Sequence, residues 1–247
     1  MADIIEGRNP VLEALRSGRV ISKIWLAKNA ERHGVIGEIL FLARTNGVPV
    51  EYVDRPAIDR QTAGMVNQGI LAFTSAKAYL SLDEILAASA AKKEHPFFIV
   101  LDGIEDPYNL GAIIRTVDAS GAHGVIVRER RAVGLTSIVE KASAGALEYV
   151  PVARVVNIAQ TLETLKQQNI WVVGVDRQGD SEYTRTDYKP PTAIVIGGEG
   201  QGLSELVKKR CDFLVHIPML GRISSLNASV AAAVVMYEVA RQRAAKG

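Results

Sequence analysis

The chain has 247 residues, enough to bury a full core as one large domain or two smaller ones. Its 48% hydrophobic and 23% charged content is that of an ordinary soluble protein, and a formal charge of +2 permits a nucleic-acid partner without arguing for one. The single Cys211 excludes an internal disulfide and any multi-cysteine metal site, and His33, His95, His123 and His216 have no metal-ligand spacing.

MADIIEGRNP at the start carries acids where a secretory signal needs a basic region followed by an apolar run. No stretch of about 18 apolar residues occurs, so no membrane span is expected and the cytoplasm is the expected location. PVLEALRSG (10–18) reads as a short helix, with Pro10 in its first turn and Gly18 past its end. ISKIWLA (21–27) reads as a strand and ERHGVIGEILFLARTNG (31–47) as a helix stopped by Asn46 and Gly47. VPVEYV (48–53) and GILAFTSA (69–76) read as further strands, which predicts a small α/β domain over residues 1–76. Residues 77–95 read as a linker with an exposed, Ala-, Ser- and Lys-rich end. Ser81 and Glu84 stand at capping-box spacing within it and predict a short helix.

From residue 96 the pattern changes. FFIVLD (97–102) is a continuous apolar run, the signature of a strand buried on both faces. NLGAIIRTVDASG (109–121) reads as a helix, GVIVR (124–128) as a strand and TSIVEKASAGALEYV (136–150) as a helix. VPVARV (150–155) is strand-like and NIAQTLETLKQQN (157–169) helical. IWVVGVD (170–176), TAIVIGG (192–198) and FLVHIP (213–218) complete the strands, with SELVKKR (204–210) a helix between the last two. A long helix closes the chain from about Ser225 to Ala245. Strands alternating with helices predict a mainly parallel sheet with helices on both faces over residues 96–247. Such sheets bind ligands beyond the C-terminal ends of their strands.

Three loops, each after a buried strand, hold residues that packing does not explain. In LDGIEDPYNLGAIIRT (101–116), Pro107 fixes the turn, Asn109 stands where a helix begins, and Arg115 lies six residues on. A helix cap and a solvated arginine account for them equally well. IGGEGQGLSE (196–205) packs four glycines into six residues around Glu199. These allow a close backbone approach or positive φ, but match neither the dinucleotide nor the phosphate-loop fingerprint, and a tight surface turn remains open. IPMLGRISSLNASVAAA (217–233) places Ser224, Ser225, Asn227 and Ser229 at a helix start where one cap suffices. A close helix–helix contact explains its small residues but not Asn227 or Arg222.

Together, DPYNLGAIIRT, IVIGGEGQGLS and IPMLGRISSLNASVAAA resemble, in order and spacing, the three motifs of the SpoU-type RNA ribose 2′-O-methyltransferases of the knotted SPOUT class. The first 75 residues, beginning EGRNPVLEAL, resemble the ribosomal-protein-like RNA-binding domain of the subgroup that modifies a guanosine of 23S rRNA. The resemblance implies a deep trefoil knot with S-adenosylmethionine held by Gly197, Gly198, Ile217 and Leu226. It implies a catalytic set of Asn109, Arg115, Glu199, Ser225 and Asn227, and no metal. A guanidinium is a poor proton acceptor, so Arg115 is assigned to phosphate pairing and to electrostatic stabilisation of the 2′-oxygen. RNA contacts are expected at Arg8 and in VRERRA at Arg128, Arg130 and Arg131, a run that is otherwise a solvated loop. The resemblance further implies a homodimer, with the contact expected on the Ala-rich face of the C-terminal helix, and no membrane partner. A tRNA ribose methyltransferase and a non-catalytic RNA-binding factor are the alternatives. A nucleotide-binding oxidoreductase is disfavoured, because DGIEDPYN stands where its glycine fingerprint should.

Overall fold

The computed structural model describes residues 3–62, 67–130 and 132–244, and the chain forms two compact units. The first contains β1 (Asp3–Glu6), α1 (Arg8–Arg16), β2 (Ile21–Ala27), α2 (Val35–Thr45), β3 (Val50–Val53), α3 (Arg55–Gln61) and β4 (Ile70–Thr74). Its sheet runs β1-β4-β2-β3, with β4 antiparallel to both neighbours and β2 parallel to β3. Alternation in β2 sends Ile24 and Leu26 to one face, where Val11 and Leu15 of α1 and Ile36, Ile39 and Ala43 of α2 cover them. Ile58 of α3 covers Ala27 and Leu71 on the other face. Neither β1 nor α3 is among the elements expected from sequence. β1 is four residues long and exists through its distant partner β4, while α3 opens at Asp54 with Pro56 in its first turn.

The second unit begins at Tyr79, with α4 (Leu82–Ala91), β5 (Phe97–Asp102), α5 (Pro107–Ser120) and β6 (Gly124–Arg128). The chain then leaves it for α6 (Ser137–Ala142) and returns at β7 (Val152–Val155). There follow α7 (Ile158–Gln167), β8 (Trp171–Val175), β9 (Ser181–Glu182), β10 (Thr192–Gly197), α8 (Glu205–Lys208), β11 (Phe213–His216) and α9 (Ala228–Ala244). Among the described residues the strand order is β7-β6-β5-β10-β8-β11-β9, and every neighbouring pair is parallel. Phe98 and Val100 of β5 pack with Ile85 of α4 and with Ile158, Leu162 and Leu165 of α7. Ile99 and Leu101 alternate to the opposite face, where α5 and α9 pack on each other and on β6 and β10. The expected parallel sheet with helices on both faces is therefore present.

Three expectations need correction. Residues 79–91 are part of the second unit rather than an exposed linker. Leu80 donates to the Val152 carbonyl and accepts from Arg154 N, and Ile85 is fully buried, although the capping box of Ser81 and Glu84 forms as expected. Residues 134–149 pack with the first unit, although they lie in the span 96–247 expected to form the second. Arg19 Nη1 stands 2.6 Å from both Glu140 and Glu148, and Tyr149 donates its hydroxyl to Glu13 at 2.6 Å. These ion pairs are buried, so removing one partner strands the other. Finally, the helix expected over 136–150 is α6 followed by a single 3₁₀ turn, because Ala144 and Gly145 take φ of 53° and 98° and break it.

Candidate functional site

Three parallel strands, β10, β8 and β11, end side by side, and the loops that follow them share one cavity of about 520 Å³. The loop after β10 is closed by Asp102 at the end of β5. Gly198 N donates to the Asp102 carbonyl at 2.9 Å, and Ser204 donates from its backbone N (3.0 Å) and its hydroxyl (2.8 Å) to the Asp102 carboxylate. A Cβ on Gly197 would run into the backbone of Gly202, and one on Gly198 into the carbonyl of Gly103. These two glycines are thus required by the chain's own close crossings.

Glu199 leaves this loop and accepts a hydrogen bond from Asn109 Nδ2. Asn109 is buried in the first turn of α5 and does not cap it; Asp106 does, accepting from Tyr108 N at 3.0 Å. The contact ties the first loop to the second, which a mere cap does not explain. Arg115 lies six residues along α5, about 240° around its axis from Asn109. It is exposed, does not line the cavity, and makes no hydrogen bond or ion pair among the described residues.

The loop after β11 stays irregular until α9 begins at Ala228, three residues later than expected. Asn227 is the cap: its Oδ1 accepts from Ser229 N (2.9 Å), Ser229 Oγ (2.6 Å) and Val230 N (3.4 Å). Ser224 and Ser225 lie outside the helix and line the cavity instead. The four polar residues therefore divide between helix capping and the cavity wall.

The lining is apolar at Ile196, Ile217, Met219 and Leu226 and charged at Asp176, Arg177, Glu199 and Lys208. Lys208 Nζ sits 3.1 Å from Asp176, whose carboxylate raises the ammonium pKa above its ordinary value. Of the expected site residues, Gly197, Gly198, Glu199, Ile217, Ser225, Leu226 and Asn227 all line the cavity, and Asn109 reaches it through Glu199. Asp176, Arg177 and Lys208 were not anticipated. The only signal for the first two is that VVGVDRQ places charges directly after an apolar strand.

The expected RNA-contacting residues lie elsewhere. Arg128 is half-buried at the end of β6 and Arg130 is exposed; Arg131 lies outside the described residues. Their loop runs beside the first motif loop, since Val133 N donates to the Ile104 carbonyl at 3.2 Å. Arg8, in the first unit, donates its backbone N to Gln68 Oε1 at 2.9 Å, and its Nε is buried without a hydrogen-bond partner. Among the described residues there is no cluster of three or more side chains that could hold a metal, and no helix long and apolar enough to cross a membrane.

Comparison with known proteins matches two successive parts of the chain to two families. Residues 96–237 match the SpoU rRNA methylase family, and residues 4–80 the substrate-binding family of RNA 2′-O ribose methyltransferases. A Bacillus subtilis protein described as a TrmH family tRNA/rRNA methyltransferase is 48% identical over 241 residues, covering 98% of this chain and 96% of its own. The SpoU methyltransferase AviRb of Streptomyces viridochromogenes, solved in complex with AdoMet, superposes with a TM-score of 0.83 at 28% identity, over 100% of this chain and 92% of that one. The AdoMet-bound rRNA methyltransferase of Sinorhizobium meliloti superposes with a TM-score of 0.79 at 27% identity, over 97% and 87%.

Proposed function

The chain belongs to the SpoU family of RNA methyltransferases, and from that premise we propose that it methylates the 2′-oxygen of a guanosine ribose in 23S rRNA, using S-adenosylmethionine. The observation that carries this is the cavity in which the second and third motif loops meet, with the first motif tied to it by Asn109 and Glu199. Its volume of about 520 Å³ falls within the range of roughly 300–1,000 Å³ usual for small-molecule sites. Its lining fits the cofactor: apolar Ile196, Ile217 and Leu226 suit an adenine, and the charged groups suit an amino-acid end.

When bound, the cofactor supplies a methyl group on a positively charged sulfonium. The protein's share is to bring the 2′-oxygen into line and to stabilise the charge it develops. Arg115 suits that task because it is a permanent cation whose side chain has no hydrogen-bond or ion-pair partner among the described residues, so it can pair with an RNA phosphate or the developing alkoxide. The Asn109–Glu199 contact orients the loop beneath, and Ser225 faces the cavity beside Leu226. Asn227 acts by fixing the start of α9. Arg128 and Arg130 beside the first motif loop, with Arg8 in the first unit, offer cations for the RNA backbone, and Arg131 of the same sequence run is proposed to add another.

A trefoil knot is part of this proposal, supported by the close crossings at Gly197 and Gly198 and by the sharing of one cavity between the 198–204 and 217–227 loops. So is a homodimer through α9. Ala232 is buried within its own unit, so the proposed contact surface is the exposed side bearing Val230 and Tyr237, with half-exposed Ala233 between them. The match of residues 4–80 to a substrate-binding family and the likeness to an rRNA methyltransferase over nearly the whole chain support rRNA as the substrate. A cytoplasmic location is part of the same reading.

The test is methyl transfer from labelled S-adenosylmethionine to unmodified large-subunit rRNA and, separately, to unmodified tRNA. Label in rRNA alone is the expected result. Label in tRNA alone would replace the substrate, an option kept in view by relatives described as tRNA/rRNA methyltransferases. Label in neither, with the demethylated cofactor still bound, would leave a non-catalytic RNA-binding factor.

A further inference from the structure

The cavity wall carries a charge that none of the three motif loops supplies. Strand order β10-β8-β11 puts the loop after β8 between the second and third motif loops, and Arg177 stands at its tip. Of the four charged side chains that line the cavity among the described residues, three have partners. Asp176 and Lys208 pair at 3.1 Å, with Glu205 also 3.3 Å from Lys208, and Glu199 accepts from Asn109. Arg177 has no carboxylate partner among the described residues. Its one hydrogen bond is from Nη1 to Ser224 Oγ at 3.5 Å, the outer limit of such a contact. Four of its five N–H donors are unused, so the guanidinium can still take an oxyanion in a two-pronged grip.

The proposed cofactor ends in an amino acid with a carboxylate. A carboxylate carried into a cavity costs free energy unless a cation meets it, and Lys208 is already neutralised by Asp176 and Glu205. Arg177 is the remaining cation on the wall. We propose that Arg177 binds the carboxylate of the cofactor's amino-acid end, with Ser224 of the third motif loop steadying the guanidinium. The inference rests on the cofactor assignment made above and adds a binding residue outside the three motifs. It also gives Ser224 a task distinct from that of Ser225.

The test crosses a protein truncation with a ligand truncation. Calorimetric affinities are measured for S-adenosylhomocysteine, the demethylated cofactor, and for 5′-methylthioadenosine, which lacks the amino-acid end, on the wild-type protein, Arg177→Ala and Arg177→Lys. Arg177→Ala should weaken S-adenosylhomocysteine about 10- to 100-fold while leaving 5′-methylthioadenosine within about twofold. Arg177→Lys, which keeps the charge but loses the fork, should recover part of the loss. Equal weakening of both ligands would overturn the proposal in favour of a role in shaping the loop. Unchanged affinity for both, with a raised KM for RNA, would overturn it in favour of a phosphate contact. A wild-type protein that binds neither ligand would remove the cofactor assignment itself, and this inference with it.

Discussion

The two ends of the seven-stranded sheet treat arginine in opposite ways. At the N-terminal ends of β5 and β10, Arg243 of α9 donates to the carbonyls of Tyr188 (3.0 Å), His95 (2.6 Å), Pro96 (3.1 Å) and Pro190 (2.7 Å), and its guanidinium lies over the Phe97 ring. Burial lowers its pKa and the Glu94 carboxylate partly offsets this, yet an arginine stays charged at any physiological pH, so it is mainly backbone carbonyls that hold the charge. At the cavity end, Arg177 makes one long side-chain hydrogen bond among the described residues, and Arg115, past the middle of α5, makes no side-chain hydrogen bond or ion pair among them. A cation saturated by its own chain locks the fold; one left unsaturated beside a cavity or on a motif helix is available to a ligand. The two ends should therefore fail differently when each is damaged.

The largest effect is expected at Arg115, the unsaturated cation. Arg115→Ala should lower methyl transfer about 100- to 1,000-fold, the scale of losing one charge-stabilising donor. Its stability in a denaturant titration should stay within about 0.5 kcal/mol of wild type, because no side-chain bond among the described residues is lost. S-adenosylhomocysteine affinity should hold within a few-fold; a loss as large as that in transfer would make Arg115 a cofactor-binding or folding residue. At the saturated end the order reverses. Arg243→Ala removes four hydrogen bonds, leaves the Tyr188 and His95 carbonyls without the donor they had, and should cost about 3 kcal/mol in the same titration, with transfer unchanged well below the melting temperature. A variant as stable as wild type would dissolve the contrast.

Two smaller effects sharpen the cavity side. Gly198→Ala forces a Cβ against the Gly103 carbonyl, so it should cost about 1–3 kcal/mol and weaken S-adenosylhomocysteine binding at the same time, since the same loop serves both. Unaltered stability and affinity would mean that the loop yields freely. Asn227→Ala should cost about 1 kcal/mol as a lost helix cap. Ser225→Ala, outside the helix, should leave stability unchanged and affect only transfer. Equal destabilisation by the two variants would return Ser225 to the helix start, where the sequence pattern alone had put it.

Much of the second unit was legible because its strands are buried on both faces and so read as unbroken apolar runs. β5 spans the residues expected for it, 97–102, and the capping box of α4 forms as its spacing indicates. The three loops were legible as places where glycine, asparagine and serine exceed what turns and caps need. What stayed hidden depends on contacts distant in sequence. β1 is defined by β4, and residues 134–149 are drawn to the first unit by Arg19 and Glu13, which no local pattern near Glu140 or Tyr149 reveals. The start of α9 was misplaced because Ser225 and Asn227 are equally good caps on paper, and only geometry chooses between them. The Asp176–Lys208 pair was missed for a related reason. Its members are 32 residues apart and meet only where β8 and β10 end together.

The most direct test of the account is the chemical position of the transferred methyl. Large-subunit rRNA labelled by the protein from S-adenosylmethionine is hydrolysed in alkali, which requires a free 2′-hydroxyl to cleave each phosphodiester. The label should be recovered in an alkali-resistant dinucleotide whose 5′ residue is guanosine, and should be absent when Arg115→Ala replaces the wild-type protein. Label released in mononucleotides would place the methyl on a base and contradict the ribose chemistry assigned to this cavity.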